Sequence, residues 1–376
     1  MTVFLLVQKR NDLSMVIACS SLPVRVSVTV LLTVTPFGRG SLALCVARSA
    51  LLTVGSLCRL LTCREVSVGL IGLCILSGCY YIGKGLKIPM SEFIERLERE
   101  VKKSCAPKTG VIYSGGVDSS LLAVLAARHC SVTAYTVGVE EAPDIPFAKQ
   151  LKSHFHHEII KLSDEEVDKE LDEILPIIKG TEGSISPVRV GAELPSHFAA
   201  RAAAEDGFKV VLSGQGPDEM FGGYARYLPV LFGKGYPALE KLLKLDTCDL
   251  KGRIINIDRA ICKSQGVELR NPFLSDEFVE YGLSIDVKER LWSGAKKPQY
   301  PCEAYEGKYA IRKFCEKKAA EEILPKEIVW RPKKAAQYGS GMHKALDRLA
   351  RKHGFKEKAK KAGKKEYLTM FLESRA

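Results

Sequence analysis

The sequence predicts an α/β fold, in which a doubly wound parallel sheet is followed by a helical C-terminal part. Short apolar strands alternate with helical segments after residue 110, as is typical of parallel sheets. Two of these strands run into glycine-containing turns that open a helix. The chain has 376 residues, of which 46% are apolar and 27% charged, so it can form an ample core.

The first 89 residues differ from the rest in composition. They carry +7 of the net charge of +12, and residues 66–83 are uncharged over 18 positions, just enough for a membrane helix. Three alternatives follow for residues 1–89: a membrane anchor, a small extra domain, or upstream DNA translated from a wrongly chosen start. We favour the last because the composition changes abruptly at Met90. Membrane association is expected only if residues 66–83 are expressed.

The body of the chain begins with an amphipathic helix over residues 90–104, where acids and bases lie four positions apart. The short β-branched and aromatic run at 111–113 predicts a buried strand, and leucines at helical spacing from Leu121 predict the next helix. Residues 131–139 read as a second strand and 144–155 as a helix.

Two further strands complete the predicted sheet, at residues 157–162 and 210–212. In parallel sheets the ligand lies beyond the carboxyl ends of the strands. Ser114 and Val137 both lie near such ends, so they can face one ligand.

The turn "YSGGVDSS" (113–120) has the features of an anion site. Gly115 and Gly116 allow backbone angles that let several N–H groups converge, and the new helix adds unpaired N–H groups and its positive dipole end. Asp118 would repel a phosphate unless a cation such as Mg²⁺ lies between them. The alternative is an ordinary strand-to-helix turn with a polar cap.

The stretch "LSGQGPDEMFGGYARY" (212–227) repeats this pattern. A buried strand runs into Ser213 and Gly214, and Asp218 follows at the start of a helix. Two such strand ends can converge on one Mg²⁺–phosphate cluster, although Asp218 alone would be read as a helix cap.

Four motifs occur together in a specific order: the two stretches above, "IINIDRAICKSQGVELRNPFL" (254–274), and "GKYAIRKF" with "LPKEIVWRPKKAAQYGSG" (307–341). The first resembles the loop of the Rossmann-like PP-loop ATP pyrophosphatases. Together they resemble the synthetase domain of glutamine-dependent asparagine synthetases. The resemblance covers about residues 90–345 and leaves 346–376 as a lysine-rich tail.

The resemblance implies a ligase that uses ATP and Mg²⁺. ATP would activate the side-chain carboxylate of aspartate as an acyl-adenylate with release of pyrophosphate, and ammonia would then give asparagine and AMP. Three alternatives stay open: a nucleotide-binding regulatory relative, a ligase for a different carboxylate, and an adenylating enzyme that acts on tRNA.

The resemblance also assigns roles to residues. The loop would hold pyrophosphate, Asp118 and Asp218 would bind Mg²⁺, and Lys308 would stabilise the charged transition state, with a basic segment nearby at Arg331 and Lys333. The remaining expected contacts to pyrophosphate and nucleotide are Tyr113, Ser114, Gly115, Gly116, Ser119, Ser120, Val137, Ser213 and Gly214.

Two departures from the family pattern matter. Gln215 stands where the family usually has a glutamate linked to adenylate formation and proton handling, and glutamine cannot take up a proton at neutral pH. Family members also begin with a glutaminase domain whose nucleophile is a cysteine after the initiator Met, whereas Thr2 is found here and a start at Met90 would expose Ser91. We therefore expect free ammonia or a separate glutaminase subunit as the nitrogen source.

Nucleic acid is not an expected partner. The residues after 89 carry only +5, and the lysine-rich stretch 351–367 reads as a solvated charged helix without interleaved aromatic residues. The scattered cysteines predict free thiols in a reducing cytoplasm.

Overall fold

The computed structural model describes residues 2–7, 12–18, 28–33, 90–151, 154–332 and 335–376. The chain divides into two compact units, Met1–Gly72 and Leu73–Ala376. In the first unit, β1 (Thr2–Val7), β2 (Asp12–Ala18) and β3 (Val28–Thr33) pair as an antiparallel sheet. Residues 66–83, predicted as a possible membrane segment, lie outside the described ranges. The boundary predicted at Met90 lies where the described range 90–151 begins. None of the helices in those ranges is long and apolar enough to cross a membrane.

The second unit is built on a five-stranded parallel sheet with the strand order β6-β5-β4-β7-β8. The strands are β4 (Lys108–Ile112), β5 (Ser131–Val139), β6 (His156–Leu162), β7 (Val210–Ser213) and β8 (Glu268–Arg270). The predicted α/β fold with a doubly wound parallel sheet is thus confirmed, and the strand predicted at 131–139 has the observed bounds.

Helices connect and flank these strands. They are α1 (Met90–Ser104), α2 (Val117–Ala127), α3 (Ile145–Ala148), α4 (Asp164–Glu182), α5 (Pro187–Glu205), α6 (Pro217–Met220), α7 (Tyr227–Asp249) and α8 (Ile255–Ser264). A 3₁₀ turn at Lys149–Leu151 extends α3, and a π-helical turn at Leu250–Ile254 joins α7 to α8. The helix predicted at 144–155 is therefore shorter than expected.

Burial explains the first helices. Phe93, Leu97 and Val101 recur every four residues on α1 and are buried, so one face of this helix packs against the core. In α2 every residue from Leu121 to Ala126 is buried, as expected of a helix enclosed by sheet and neighbouring helices.

The strand order places the ends of β4 and β7 at the centre of the sheet. From β4 the chain adds β5 and β6 on one side, and then returns to add β7 and β8 on the other. The direction of winding thus reverses beside β4, and such a switch point is where open α/β sheets bind ligands. The two glycine-containing turns follow these two strands.

The C-terminal part is helical, as predicted. It contains α9 (Asp276–Ser284), α10 (Val287–Arg290), α11 (Phe314–Ala320), α12 (Lys326–Val329), α13 (Ala336–Gly339), α14 (Met342–Lys352), α15 (Phe355–Lys361) and α16 (Tyr367–Glu373). A small antiparallel sheet joins β9 (Trp292–Gly294), β10 (Glu303–Tyr305) and β11 (Lys308–Ile311) in the order β10-β11-β9.

The lysine-rich tail packs onto the body. Phe371 and Leu372 are buried, and Arg375 pairs with Asp168 and Asp172 of α4. Residue 345, where the resemblance was predicted to end, lies within α14.

Candidate functional site

A cavity of about 450 Å³ opens at the carboxyl ends of β4 and β7. Its walls come from both glycine-containing turns, from α5 and from the segment 301–340. The predicted site residues that line it are Tyr113, Ser114, Gly116, Asp118, Ser119, Val137, Ser213, Gly214, Gln215, Asp218 and Arg331. Of the other predicted residues, Gly115, Ser120 and Lys308 do not line the cavity, and Lys333 lies outside the described residues.

The first turn is tightly built. Gly115 has a φ of 68°, and a Cβ there would lie 2.6 Å from the backbone nitrogen of Ala148, so both conformation and space require glycine. Ser119 Oγ accepts from the N–H of Ser114 at 3.2 Å, which folds the turn over the start of α2. Because α2 begins at Val117 with no side-chain cap, its first N–H groups suit an anion.

The second turn lies directly against the first. A Cβ on Gly214 would lie 3.1 Å from the backbone nitrogen of Ser119 and 3.2 Å from the carbonyl carbon of Asp118. The absence of a side chain at this position thus lets the two strand ends meet. This close approach brings Asp118 and Asp218 to one place.

A buried lysine joins these two carboxylates. Lys313 Nζ lies 2.6 Å from both carboxylate oxygens of Asp118 and 2.9 Å from Asp218 Oδ1. Burial alone would lower the pKa of Lys313, but the charges of Asp118, Asp218 and the nearby Glu316 outweigh it and raise that pKa well above its usual value. The cluster shows that the carboxylate oxygens converge on a single positive charge, so the same oxygens could hold a divalent cation.

Lys308, predicted to stabilise the charged transition state, is not among the residues that line the cavity. Lys308 is exposed at the start of β11, with its Nζ 5.7 Å from the centroid of the Phe232 ring and outside the cavity. Lys313, five residues later, has a left-handed backbone with a φ of 55° and directs its side chain inward. Of these two lysines, Lys313 is the one that lines the cavity and contacts Asp118 and Asp218.

Arg331 connects the C-terminal part to the first turn. Its Nη1 donates to the carbonyl oxygen of Ser114 at 3.2 Å, its guanidinium pairs with Asp144, and it stacks on Phe147 at 4.0 Å. This places a rigid positive charge beside the turn that could hold a phosphate.

Ser120 lies behind the turn and contacts Tyr113, which lines the cavity. Tyr113 is buried, and Ser120 Oγ donates to its hydroxyl at 3.5 Å. Ser120 and Gly115 thus shape the turn, while the neighbouring residues present its surface to the cavity.

A pair of buried carboxyl groups near Gln215 was missed by the sequence analysis. Gln215 Nε2 donates to Asp258 Oδ1 at 2.7 Å, and Glu193 of α5 lines the cavity. Burial raises the pKa of Asp258 to about 6, and burial together with the charge of Asp258 raises the pKa of Glu193 well above its usual value. A signal was present, since both acids interrupt apolar stretches of helix.

Two further cations line the cavity and were also missed. Arg312 pairs with Glu303 at 2.6 Å, and Lys317 lies one turn beyond Lys313. Burial, followed by the charges of Lys313 and Arg312, lowers the pKa of Lys317 to about 8. A buried lysine that lines a cavity and is repelled by Lys313 and Arg312 favours an anionic ligand, because the anion offsets that repulsion.

We expect Lys317→Met to stabilise the fold at pH 7. Lys317 has a pKa of about 8 in the folded protein and an ordinary value of 10.5, so its charged form is penalised below pH 8. That penalty disappears as the pH rises from 8 to 10.5. The variant should gain on the order of 2 kcal/mol at pH 7 and much less near pH 10, in urea denaturation. Equal stability of the two proteins at pH 7 would contradict this expectation.

Comparison with known proteins identifies the family. The family model described as asparagine synthase matches residues 92–253 and 250–374. A Methanocaldococcus jannaschii protein assigned as an asparagine synthetase is 36% identical over 288 residues, which cover 70% of this chain and 52% of that protein. Asparagine synthetase B of Escherichia coli is 26% identical over 273 residues, which cover 67% of this chain and 45% of that protein. The chain thus spans about half the length of these curated relatives.

Proposed function

Because the chain belongs to the asparagine synthase family, we propose that it is an ATP-dependent ligase that converts the side-chain carboxylate of aspartate into an amide. A carboxylate is a poor electrophile, so ATP first makes it an acyl-adenylate and pyrophosphate leaves. Ammonia then attacks the acyl carbon, which yields asparagine and AMP. Ammonia is taken up free or from a separate glutaminase.

The meeting of the two strand-end turns carries this proposal. It supports an anion site in the N–H groups at the start of α2 and a cation site in Asp118 and Asp218. Arg331 and Lys317 add positive charge to the lining of the cavity. Splitting ATP between its α and β phosphates requires such a combination, because negative charge develops on the departing pyrophosphate.

Mg²⁺ fits this donor set, since carboxylate oxygens are its preferred protein ligands. Asp118 and Asp218 would hold it, and it would neutralise phosphate charge when bound. Lys313 already bridges both carboxylates, so it orients them and keeps them from repelling each other. Ser213 and Gly214 shape the second turn, and Gln215 presents its amide beside the reacting carboxyl group.

A cytoplasmic location is part of the proposal. The six cysteines in the described part of the second unit are free thiols, which favours a reducing compartment. This agrees with a role in amino-acid biosynthesis.

Exchange of labelled pyrophosphate into ATP tests the adenylation step. With purified protein and Mg²⁺, exchange should depend on aspartate, and addition of ammonium should give asparagine and AMP in equal amounts. Glutamine in place of ammonium tests the nitrogen source in the same assay. If another carboxylate supports pyrophosphate exchange and aspartate does not, the protein is an adenylating enzyme but not an asparagine synthetase. If no carboxylate supports exchange, a regulatory role is favoured.

A further inference from the structure

Three side chains, Gln215, Asp258 and Glu193, form a hydrogen-bonded group at the wall of the cavity. Gln215 donates to Asp258 Oδ1 at 2.7 Å, and both Asp258 and Glu193 are 1% exposed. Glu193 borders the cavity, and its Oε1 accepts from Arg189 Nη1 at 3.3 Å. The group therefore connects the reaction space to a carboxyl pair that is closed off from solvent.

The pair holds one proton near neutral pH. Among the described residues, no donor is seen for the buried atom Asp258 Oδ2. A proton on the neighbouring Glu193 carboxyl group would supply that donor. Two buried carboxylates side by side cannot both be charged, because their repulsion and desolvation raise the pKa of at least one. Glu193 is thus the protonated member, and Asp258 carries the charge that accepts from Gln215.

The orientation of Gln215 follows from this charge. A carboxylate only accepts hydrogen bonds, so the amide nitrogen of Gln215 must face Asp258. Its carbonyl oxygen is then the end that can turn to the cavity and accept from an N–H group. Gln215 can orient an incoming amine in this way, but it cannot remove a proton.

We propose that Glu193, supported by Asp258, takes the proton that ammonia must lose when the amide forms. This inference rests on the proposed function. Glu193 has the catalytic role in this proposal because it lines the cavity, and Asp258, which does not, is a positioning residue that acts through it. The carboxyl pair thereby supplies the proton acceptor that Gln215 cannot provide.

The step balances as follows. The lone pair of ammonia forms a C–N bond to the acyl carbon, and the carbonyl becomes an oxyanion. The attached nitrogen, now positively charged, gives one proton to a carboxyl oxygen of Glu193, whose own proton shifts to Asp258. The oxyanion re-forms the carbonyl, the bond from carbon to the AMP oxygen breaks, and AMP leaves with that electron pair. The pair later returns its extra proton to water.

Neighbouring groups keep the pair in this state. Arg189 contributes a positive charge that is shared with Glu182 at 3.4 Å. The Cys262 thiol stays neutral, because burial and the charges of Asp258 and Glu193 raise its pKa. Arg189 therefore offsets only part of the negative charge on the Glu193–Asp258 pair, and the Cys262 thiol does not give a proton to it.

Glu193→Gln tests the inference. Glutamine keeps the size of the side chain and a donor for Asp258, but it cannot relay a proton. Asparagine formation at constant free ammonia and pH 7.5 should fall about 10²-fold, while aspartate-dependent pyrophosphate exchange stays within about threefold. Hydroxylamine as nucleophile should show a smaller defect, because its attached nitrogen is more acidic and can lose its proton to water. Adding Gln215→Glu to the variant should restore asparagine formation.

Glu100→Gln is the matched control. Glu100 is a buried acid of α1 that does not line the cavity, so asparagine formation should be unchanged. Asparagine formation at the wild-type rate in Glu193→Gln would overturn the inference. So would an equal loss of exchange and amide formation, since Glu193 would then serve binding or folding. A wild-type protein that exchanges no pyrophosphate with aspartate would reject the proposed function itself, before any variant is compared.

Discussion

Asp118→Asn is expected to lower aspartate-dependent pyrophosphate exchange by at least about 10³-fold. The substitution removes one of two carboxylates that converge at the strand ends, and a neutral amide holds Mg²⁺ poorly. Several kcal/mol of phosphate-charge stabilisation would be lost, which corresponds to about three orders of magnitude in rate. The fold should persist, because Lys313 keeps its contact with Asp218 at 2.9 Å.

Asp249→Asn provides the comparison for this variant. Asp249 ends α7, pairs with Arg253 of the π-helical turn that follows and lies outside the cavity, so exchange should stay within about twofold of wild type. The measurement is the initial exchange rate at saturating Mg²⁺, together with circular dichroism to check folding. A wild-type exchange rate in Asp118→Asn would show that Asp118 is not needed for the reaction.

Lys313→Met is expected to lower the free energy of unfolding by about 3–5 kcal/mol at pH 7. Without the ammonium group, Asp118, Asp218 and the buried Glu316 face one another with no central cation. Burial and the charge of Asp118 already raise the pKa of Glu316, and loss of the Lys313 charge raises that pKa further, so the folded variant binds protons more readily than its unfolded chain. The destabilisation should therefore shrink as the pH falls from 8 to 5.5.

Urea denaturation at several pH values measures this effect, with Lys308→Met as the control. Lys308 is exposed on the same segment, so its substitution should change stability by less than about 0.5 kcal/mol. A pH-independent loss in Lys313→Met would show that packing, and not charge, is responsible.

The sheet and the meeting of the two turns could be predicted because they follow from local patterns and one general rule. Apolar strands followed by glycine and an acid mark the turns, and parallel strands bring their carboxyl ends to one edge. Asp118 and Asp218 could thus be placed together from sequence alone. No distant contact had to be known for this.

Lys313 could not be found in this way. Lysine is most often a surface residue, and Lys308 and Lys313 lie on the same short segment with similar neighbours. What separates them is a left-handed backbone at Lys313 and a contact with Asp118 across 195 positions of the chain. Neither is visible in a local pattern.

Glu193 and Asp258 were missed for a related reason. An acid in an apolar helix signals a buried partner, but it does not say which residue that partner is. Here α5 and α8 are brought together by tertiary packing, so the pairing and the shared proton become apparent only in the structure. Gln215 was singled out as a departure, and the structure supplies the groups around it.

The long separation between Asp118 and Lys313 also bears on how the protein is made. At 5–20 residues per second, Lys313 is added to the growing chain roughly 10–40 s after Asp118. During that interval a nascent chain can already contain all five strands of the parallel sheet, because β8 ends at Arg270. The two acidic turns would then lie side by side without their counterion. We therefore expect a ribosome-bound chain to complete its proposed nucleotide site only after Lys313 has been added, well after the sheet can form.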